Sequence, residues 1–262
     1  MSRARRRRDG VRPHRPADQL FRAAGRYDGF RLDSVFQPLF HTQSLRPVAH
    51  EALLRASDAA GRPVPPGLAL ALPRSADDIV YFDRLCRTVH ALNFVFQADT
   101  EHLLFLNVGG GHLLSVTGDS HGSVFETLLH HCGLSPKRVV LEIIESRIDD
   151  LDRLVEAVAA YQKGGYRVAI DDFGCQHSNF DRLWKLTPDI VKLDRGLILQ
   201  SEINPRARTI LPKLVEIIHD LGARVVCEGI ETPGQHALAA DVGADLVQGF
   251  HYARPRPELV LG

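Results

Sequence analysis

After residue 17 the chain repeats one unit: a short apolar run ends in a polar or ionisable residue, and a loop leads into an amphipathic helix. The runs are Phe30–Phe40, Val48–Leu54, Leu103–Val108, Val139–Glu145, Val168–Asp172, Ile190–Asp194, Arg224–Gly229 and Leu246–Phe250. From the second run on, helices alternate with strands. One follows Ser75-Ala76-Asp77-Asp78 and carries Ile79, Phe82, Leu85, Cys86 and Val89 at three- and four-residue spacing. Others are expected near Val124–Cys132, Leu151–Lys163, Phe180–Leu186, Arg208–Leu221 and Pro233–Val242, several of them stopping at glycine. A further short helix is expected from Asp18 to about Gly25. Eight strands at βα spacing predict an α/β fold, a TIM-type (β/α)8 barrel. The first two strands lie too close in sequence for a crossover helix, which predicts an irregular barrel with an antiparallel first strand. A doubly wound open sheet is the alternative. Its nucleotide-binding forms usually carry a glycine-rich turn after the first strand, and none stands here.

The chain has 262 residues, 44% hydrophobic and 24% charged, enough for one large core. We read two parts: residues 1–17 as a disordered basic tail and 18–262 as the barrel domain. The tail holds Arg3, Arg5, Arg6, Arg7, Arg8, Arg12 and Arg15 among prolines. A twin-arginine export signal needs an apolar stretch after its arginines; Asp9, Gly10, Pro13 and Pro16 follow instead. Formal net charge is zero, so no nucleic-acid partner is expected beyond weak contact by this tail. No run approaches the ~18 apolar residues of a membrane span. Cys86, Cys132, Cys175 and Cys227 are far apart and form no CxxC pair. Neither zinc nor a disulfide framework is indicated, and a reducing cytoplasm is the simplest location.

In barrels of this kind, reactive groups gather at the C-terminal ends of the strands. Those ends carry Glu51, Asn107, Glu142, Asp171 with Asp172, Lys192, Glu228 and Gln248. Hard oxygen donors without histidine or cysteine suit Mg2+ or Mn2+ rather than zinc. Adjacent carboxylates repel, so one protonates or a cation neutralises them. Two cations bridging paired aspartates suit phosphoryl transfer. Other readings stand beside these: Asp171-Asp172 as a helix N-cap pair, and Lys192 as a structural ion-pair partner.

These residues sit in runs that resemble the EAL-domain cyclic di-GMP phosphodiesterases. The runs are Glu51-Ala52-Leu53-Leu54-Arg55, Leu106-Asn107-Val108, Leu141-Glu142-Ile143-Ile144-Glu145-Ser146, Asp171-Asp172-Phe173-Gly174, Val191-Lys192-Leu193-Asp194-Arg195, Glu228-Gly229-Ile230-Glu231-Thr232 and Val247-Gln248-Gly249-Phe250. The resemblance covers about residues 30–257. It implies a two-metal hydrolase that opens one phosphodiester of cyclic di-GMP to linear pGpG. Glu51, Asn107, Glu142 and Asp171 would hold one Mg2+ or Mn2+. Asp171 and Asp172, helped by Glu228, would hold the second. Lys192 would orient or deprotonate the attacking water, and Gln248 would lie in the active site. Gln37, Leu53 and Arg55 would contact the nucleotide, and Asp194 would lie beside the metals. Glu145 and Glu231 would support the neighbouring loops. Ca2+ would inhibit, and a homodimer is implied by the family alone.

The sequence departs from the family pattern after Gly174. The run Cys175-Gln176-His177-Ser178-Asn179-Phe180 places Gln176 where the family usually has a second glycine. Val108-Gly109-Gly110 replaces the usual Ser-Pro after the asparagine. No ligand is lost. The altered loop nevertheless motivates an alternative: a catalytically weak or inactive EAL-like domain that acts as a cyclic di-GMP receptor or protein-interaction module.

Overall fold

The computed structural model describes residues 22–97, 101–115, 123–143, 150–175 and 180–262. The basic tail, Glu145 and the Gln176–Asn179 departure lie outside the described residues.

The first element is β1 (Gly25–Tyr27); the helix expected from Asp18 to about Gly25 has its start outside the described residues, and residues 22–24 are not helical. Tyr27 pairs with Phe30 across the tight turn at Asp28 and Gly29, both at positive φ, so the segment folds back as a hairpin. β2 (Phe30–His41) and β3 (Pro47–Ser57) form a long antiparallel pair, with Gln37 opposite Glu51. The loop of residues 42–46 is too short for a crossover, so β2 has to reverse direction. β4 (Pro63–Val64) and α1 (Pro66–Leu70) precede α2 (Ala76–Val95), whose start is capped by Ser75 Oγ accepting from the Asp78 N–H.

The parallel units follow. β5 (Leu103–Asn107) leads to α3 (Gly110–Ser115) and α4 (Ser123–His131). β6 (Val139–Ile143) is followed by α5 (Leu151–Lys163), and β7 (Arg167–Phe173) by α6 (Phe180–Leu186). β8 (Ile190–Leu193) leads to α7 (Arg195–Ile203) and α8 (Pro205–Asp220). β9 (Arg224–Cys227), α9 (Pro233–Asp241) and β10 (Leu246–Val247) complete the fold.

β3, β5, β6, β7, β8, β9 and β10 pair in parallel in that order. β2 runs against both β3 and β10 and closes the ring. The result is an eight-stranded α/β barrel with a reversed first strand, as the short first link requires.

Side chains alternate between the two faces of each strand. Outward residues such as Leu104, Leu141, Val168, Val191, Val225 and Val247 pack under the helices. Inward residues Leu39, Ala49, Phe105, Val140, Ala169, Ile190, Val226 and Leu246 fill the barrel interior as a second, separate apolar cluster.

Candidate active site

Each apolar residue of that interior plug is followed, two positions on, by a polar residue on the same face. Ala49 precedes Glu51, Phe105 precedes Asn107, and Val140 precedes Glu142. Ala169 precedes Asp171, Ile190 precedes Lys192, Val226 precedes Glu228, and Leu246 precedes Gln248. On the reversed β2 the order inverts, with Gln37 two residues before Leu39. Period-two geometry therefore lays a polar ring directly on an apolar floor.

Lys192 stands at the centre of the ring and is almost fully buried. Its Nζ contacts Glu142 Oε1, and lies 2.6 Å from Glu228 Oε1, 3.0 Å from Asp171 Oδ1 and 3.7 Å from Glu51 Oε2. Asn107 Nδ2 donates to Glu51 Oε1 at 3.3 Å and to Glu142 Oε2 at 3.2 Å. Gln248 Nε2 donates to Glu51 Oε2 at 2.8 Å. Lys192 and the Asn107 amide thus place the positive ends of two side chains between carboxylates. A half-turn of the Asn107 amide presents its Oδ1 in the same place.

Asp171 and Asp172 are neighbours that alternation would send to opposite faces. The β7–β8 register shifts between Ile170 and Phe173, and Asp172 takes φ 54°. This bulge turns both carboxylates toward the mouth. Together with Glu228 they offer oxygens within 4.8 Å of one another. A non-glycine residue in the left-handed region is strained, and such strain recurs at functional sites. Gly174, at φ 95°, completes the turn; a Cβ there would stand 2.2 Å from Leu197 Cδ1.

The electrostatics follow from crowding of like charge out of water. Burial and the adjacent Glu51 raise the Glu142 carboxyl well above the usual range, against the pull of Lys192. Burial pushes Glu228 up to about 8, again against Lys192. Burial alone would lower Lys192, but Glu142, Glu228, Glu51 and Asp171 outweigh it and hold its pKa well above the ordinary value. With all five carboxylates ionised, the ring and its one ammonium would carry four negative charges, the charge that two divalent cations would balance. The donor set fits such ions: hard oxygens, with the buried Gln248 Oε1 lacking a hydrogen-bond donor.

A cavity of about 350 Å³ opens over the ring, lined by Gln37, Glu51, Leu53, Asp171, Asp172, Lys192, Asp194, Glu228, Glu231 and Gln248 among others. Asp194 also caps α7, its Oδ1 accepting from the Gly196 N–H at 2.8 Å. Glu231 pairs with Arg195 at 2.8 Å. Arg55 stands outside this lining, and its Nη1 donates to the Leu54 carbonyl at 2.9 Å. Asn107 and Glu142 reach the ring from its far side and are not among the cavity's lining residues.

Arg195, Gly229, Gly249 and Phe250 also line the cavity and carry no role in the sequence reading. Arg195 follows the Asp194 cap directly, and Phe250 stands in the turn beyond β10, two residues after Gln248. The Arg254 guanidinium lies 4.3 Å over the Phe250 ring.

A family model for the EAL domain matches residues 19–255. The chain belongs to the EAL domain family. Among curated proteins it is 28% identical over 228 residues to the probable cyclic di-GMP phosphodiesterase PdeN of Escherichia coli, covering 85% of this chain and 43% of that protein. It is 31% identical over 132 residues to the cyclic di-GMP phosphodiesterase RocR of Pseudomonas aeruginosa, covering 50% of this chain and 34% of that protein. The EAL chain therefore spans less than half the length of these relatives. Among solved structures, a manganese and cy-diGMP complex of BlrP1 from Klebsiella pneumoniae superposes with a TM-score of 0.78 at 27% identity, covering 90% of this chain and 59% of that one. No helix of the described residues is long and apolar enough to cross a membrane.

Proposed function

We propose that this EAL domain hydrolyses one phosphodiester bond of cyclic di-GMP to linear pGpG, using two Mg2+ or Mn2+ ions. The observation that carries the reading is the convergence of four carboxylates on Lys192 above an apolar floor, with Asp172 beside Asp171 and Glu228 and with Asn107 and Gln248 bonded to the ring's carboxylates. The named activities of PdeN and RocR and the ligands of BlrP1 support it.

In this reading Glu51, Asn107, Glu142 and Asp171 hold one cation, and Asp171, Asp172 and Glu228 hold the other. Bound there, such ions supply Lewis-acid charge to the phosphoryl oxygens and the nucleophile. Lys192 is kept charged by its neighbours, so it acts as a donor. It orients the attacking water and opposes negative charge growing on the phosphoryl group. Gln248 fixes Glu51 through its 2.8 Å hydrogen bond.

Gln37, Leu53 and Asp194 line the nucleotide pocket, and Arg55 swings from the Leu54 carbonyl to a phosphate. Phe250, backed by Arg254, offers a flat face to a base. Glu231 and Glu145 support the adjoining loops. A homodimer belongs to the same reading, with Phe180 and Trp184 exposed one turn apart on α6 beside the Asp171–Gly174 segment. The reducing cytoplasm suits the four free cysteines.

The test is product analysis after mixing the pure protein with cyclic di-GMP and Mn2+ or Mg2+, with Glu51→Ala alongside. Formation of pGpG by the wild type alone is expected. Nucleotide bound but intact in both would overturn hydrolysis and leave a receptor.

A further inference from the structure

Outside the ring, behind the end of β5, helices α2, α3 and α5 bury a polar cluster that the proposed chemistry does not use. Arg87 is 1% exposed. Its Nη2 lies 2.5 Å from Asp83 Oδ2 and 3.0 Å from His112 Nε2, and its guanidinium sits 4.9 Å over the Phe125 ring. His112 Nε2 is in turn 3.2 Å from the Tyr161 hydroxyl. An apolar pair of similar volume would be as stable here as a buried ion pair, or more so. Stability alone therefore does not account for the charges.

The pair also makes a directional contact. Asp83 Oδ1 accepts from the Gly109 N–H at 3.0 Å. Gly109 is two residues beyond Asn107. From the opposite side, the Val108 N–H donates to the Glu142 carbonyl at 2.9 Å. The Gly109 carbonyl then accepts from His112 and Leu113 N–H at 2.9 and 3.2 Å, which starts α3. The backbone leaving Asn107 is thus clamped between β6 and the Asp83 carboxylate. Asn107 itself is exposed, and among the described residues its amide makes two long hydrogen bonds, to Glu51 and Glu142. Its placement depends on the backbone that carries it.

We infer that Asp83, held rigid by Arg87, is a positioning residue for Asn107 and sets its reach to the cation between Glu51 and Glu142. The inference rests on the cation-binding role proposed for that site. Loss of a supporting partner of this kind typically lowers metal affinity about 10- to 100-fold.

The experiment compares two double variants that both remove the buried charges. Asp83→Asn with Arg87→Met keeps an acceptor for the Gly109 N–H, and Asp83→Ala with Arg87→Met does not. Free Mn2+ is followed by electron paramagnetic resonance without nucleotide, and pGpG formation is measured against Mn2+ concentration. The Ala-containing variant is expected to bind Mn2+ about tenfold more weakly than the Asn-containing one. Its Mn2+ requirement for half-maximal turnover should rise by the same factor. Equal affinities in two folded variants would overturn the inference. Should the Ala-containing variant fail to fold, Asp83→Glu retains the charge pair but carries its carboxylate one methylene too far. Weakened Mn2+ binding in it supports positioning, and wild-type binding refutes it. A wild type that binds Mn2+ but leaves cyclic di-GMP intact would sink only the phosphodiesterase reading. A wild type that binds no Mn2+ would sink both.

Discussion

Replacing Lys192 with Met keeps most of the side-chain volume and removes the ammonium from among four carboxylates. Deleting one partner of a buried ion pair costs about 3–5 kcal/mol. Glu142 is fully buried, but the Glu228 side chain keeps 18% of its exposure, so water screens part of the loss. The lower half of that range, about 3–4 kcal/mol, is expected. For a chain of this size each kcal/mol moves Tm by about 2–4 °C, so the fall in EDTA should be roughly 6–16 °C. The pH sign is definite. A carboxyl whose folded pKa is raised adds stability below its unfolded pKa, and that stability is lost as pH rises through the folded value. Glu142 and Glu228 are already raised, and removing Lys192 raises them further. The gap between variant and wild type should therefore be small near pH 5 and widest above pH 8. Mn2+ at a hundred times its Kd should return about 2.7 kcal/mol to either protein. Thermal melts across this pH range, with EDTA or Mn2+, are the assay. A variant melting within about 2 °C of wild type in EDTA above pH 8 would refute the claim that Lys192 balances this cluster.

Further outcomes are expected at the same site. Asp172→Asn removes one negative charge while keeping a side chain that tolerates the left-handed region. It should raise Tm in EDTA yet weaken Mn2+ binding, and lower Tm with unchanged Mn2+ affinity would contradict the crowding argument. Ca2+ takes oxygen ligands in looser geometry than Mg2+. Added to the Mg2+-loaded protein, it should stop pGpG formation while still raising Tm, and undiminished turnover in excess Ca2+ would count against the shared site.

Much of this was legible because one period governs both fold and site. Reading Ile190 as buried and Lys192 as polar two residues later places Lys192 on the ring without any structure. The reversed first strand followed from a loop too short to cross. Other features depend on tertiary geometry that no local pattern carries. Sequence reading expects Asp171 and Asp172 to share a cation, but the bulge against β8 that turns both one way is visible only in the fold. β1 occupies Gly25–Tyr27 because it finds an edge on β2, a pairing that a three-residue segment does not announce. α7 went unread because Asp194, taken for its place beside the metals, also starts a helix. The Asp83–Gly109 contact joins a helix face to a loop 26 residues away, and neither residue announces the other.

The apolar floor beneath the ring has a consequence for traffic. Leu39, Phe105, Val140, Ile190 and Val226 are each 0% exposed and meet across the barrel axis, so the cavity has no back exit on that side. Among the described residues, the floor side offers no way out. A spent molecule lingering there stands in the path of the next arrival. Under the proposed hydrolysis, turnover at such a dead end would be paced by departure as well as by bond breaking.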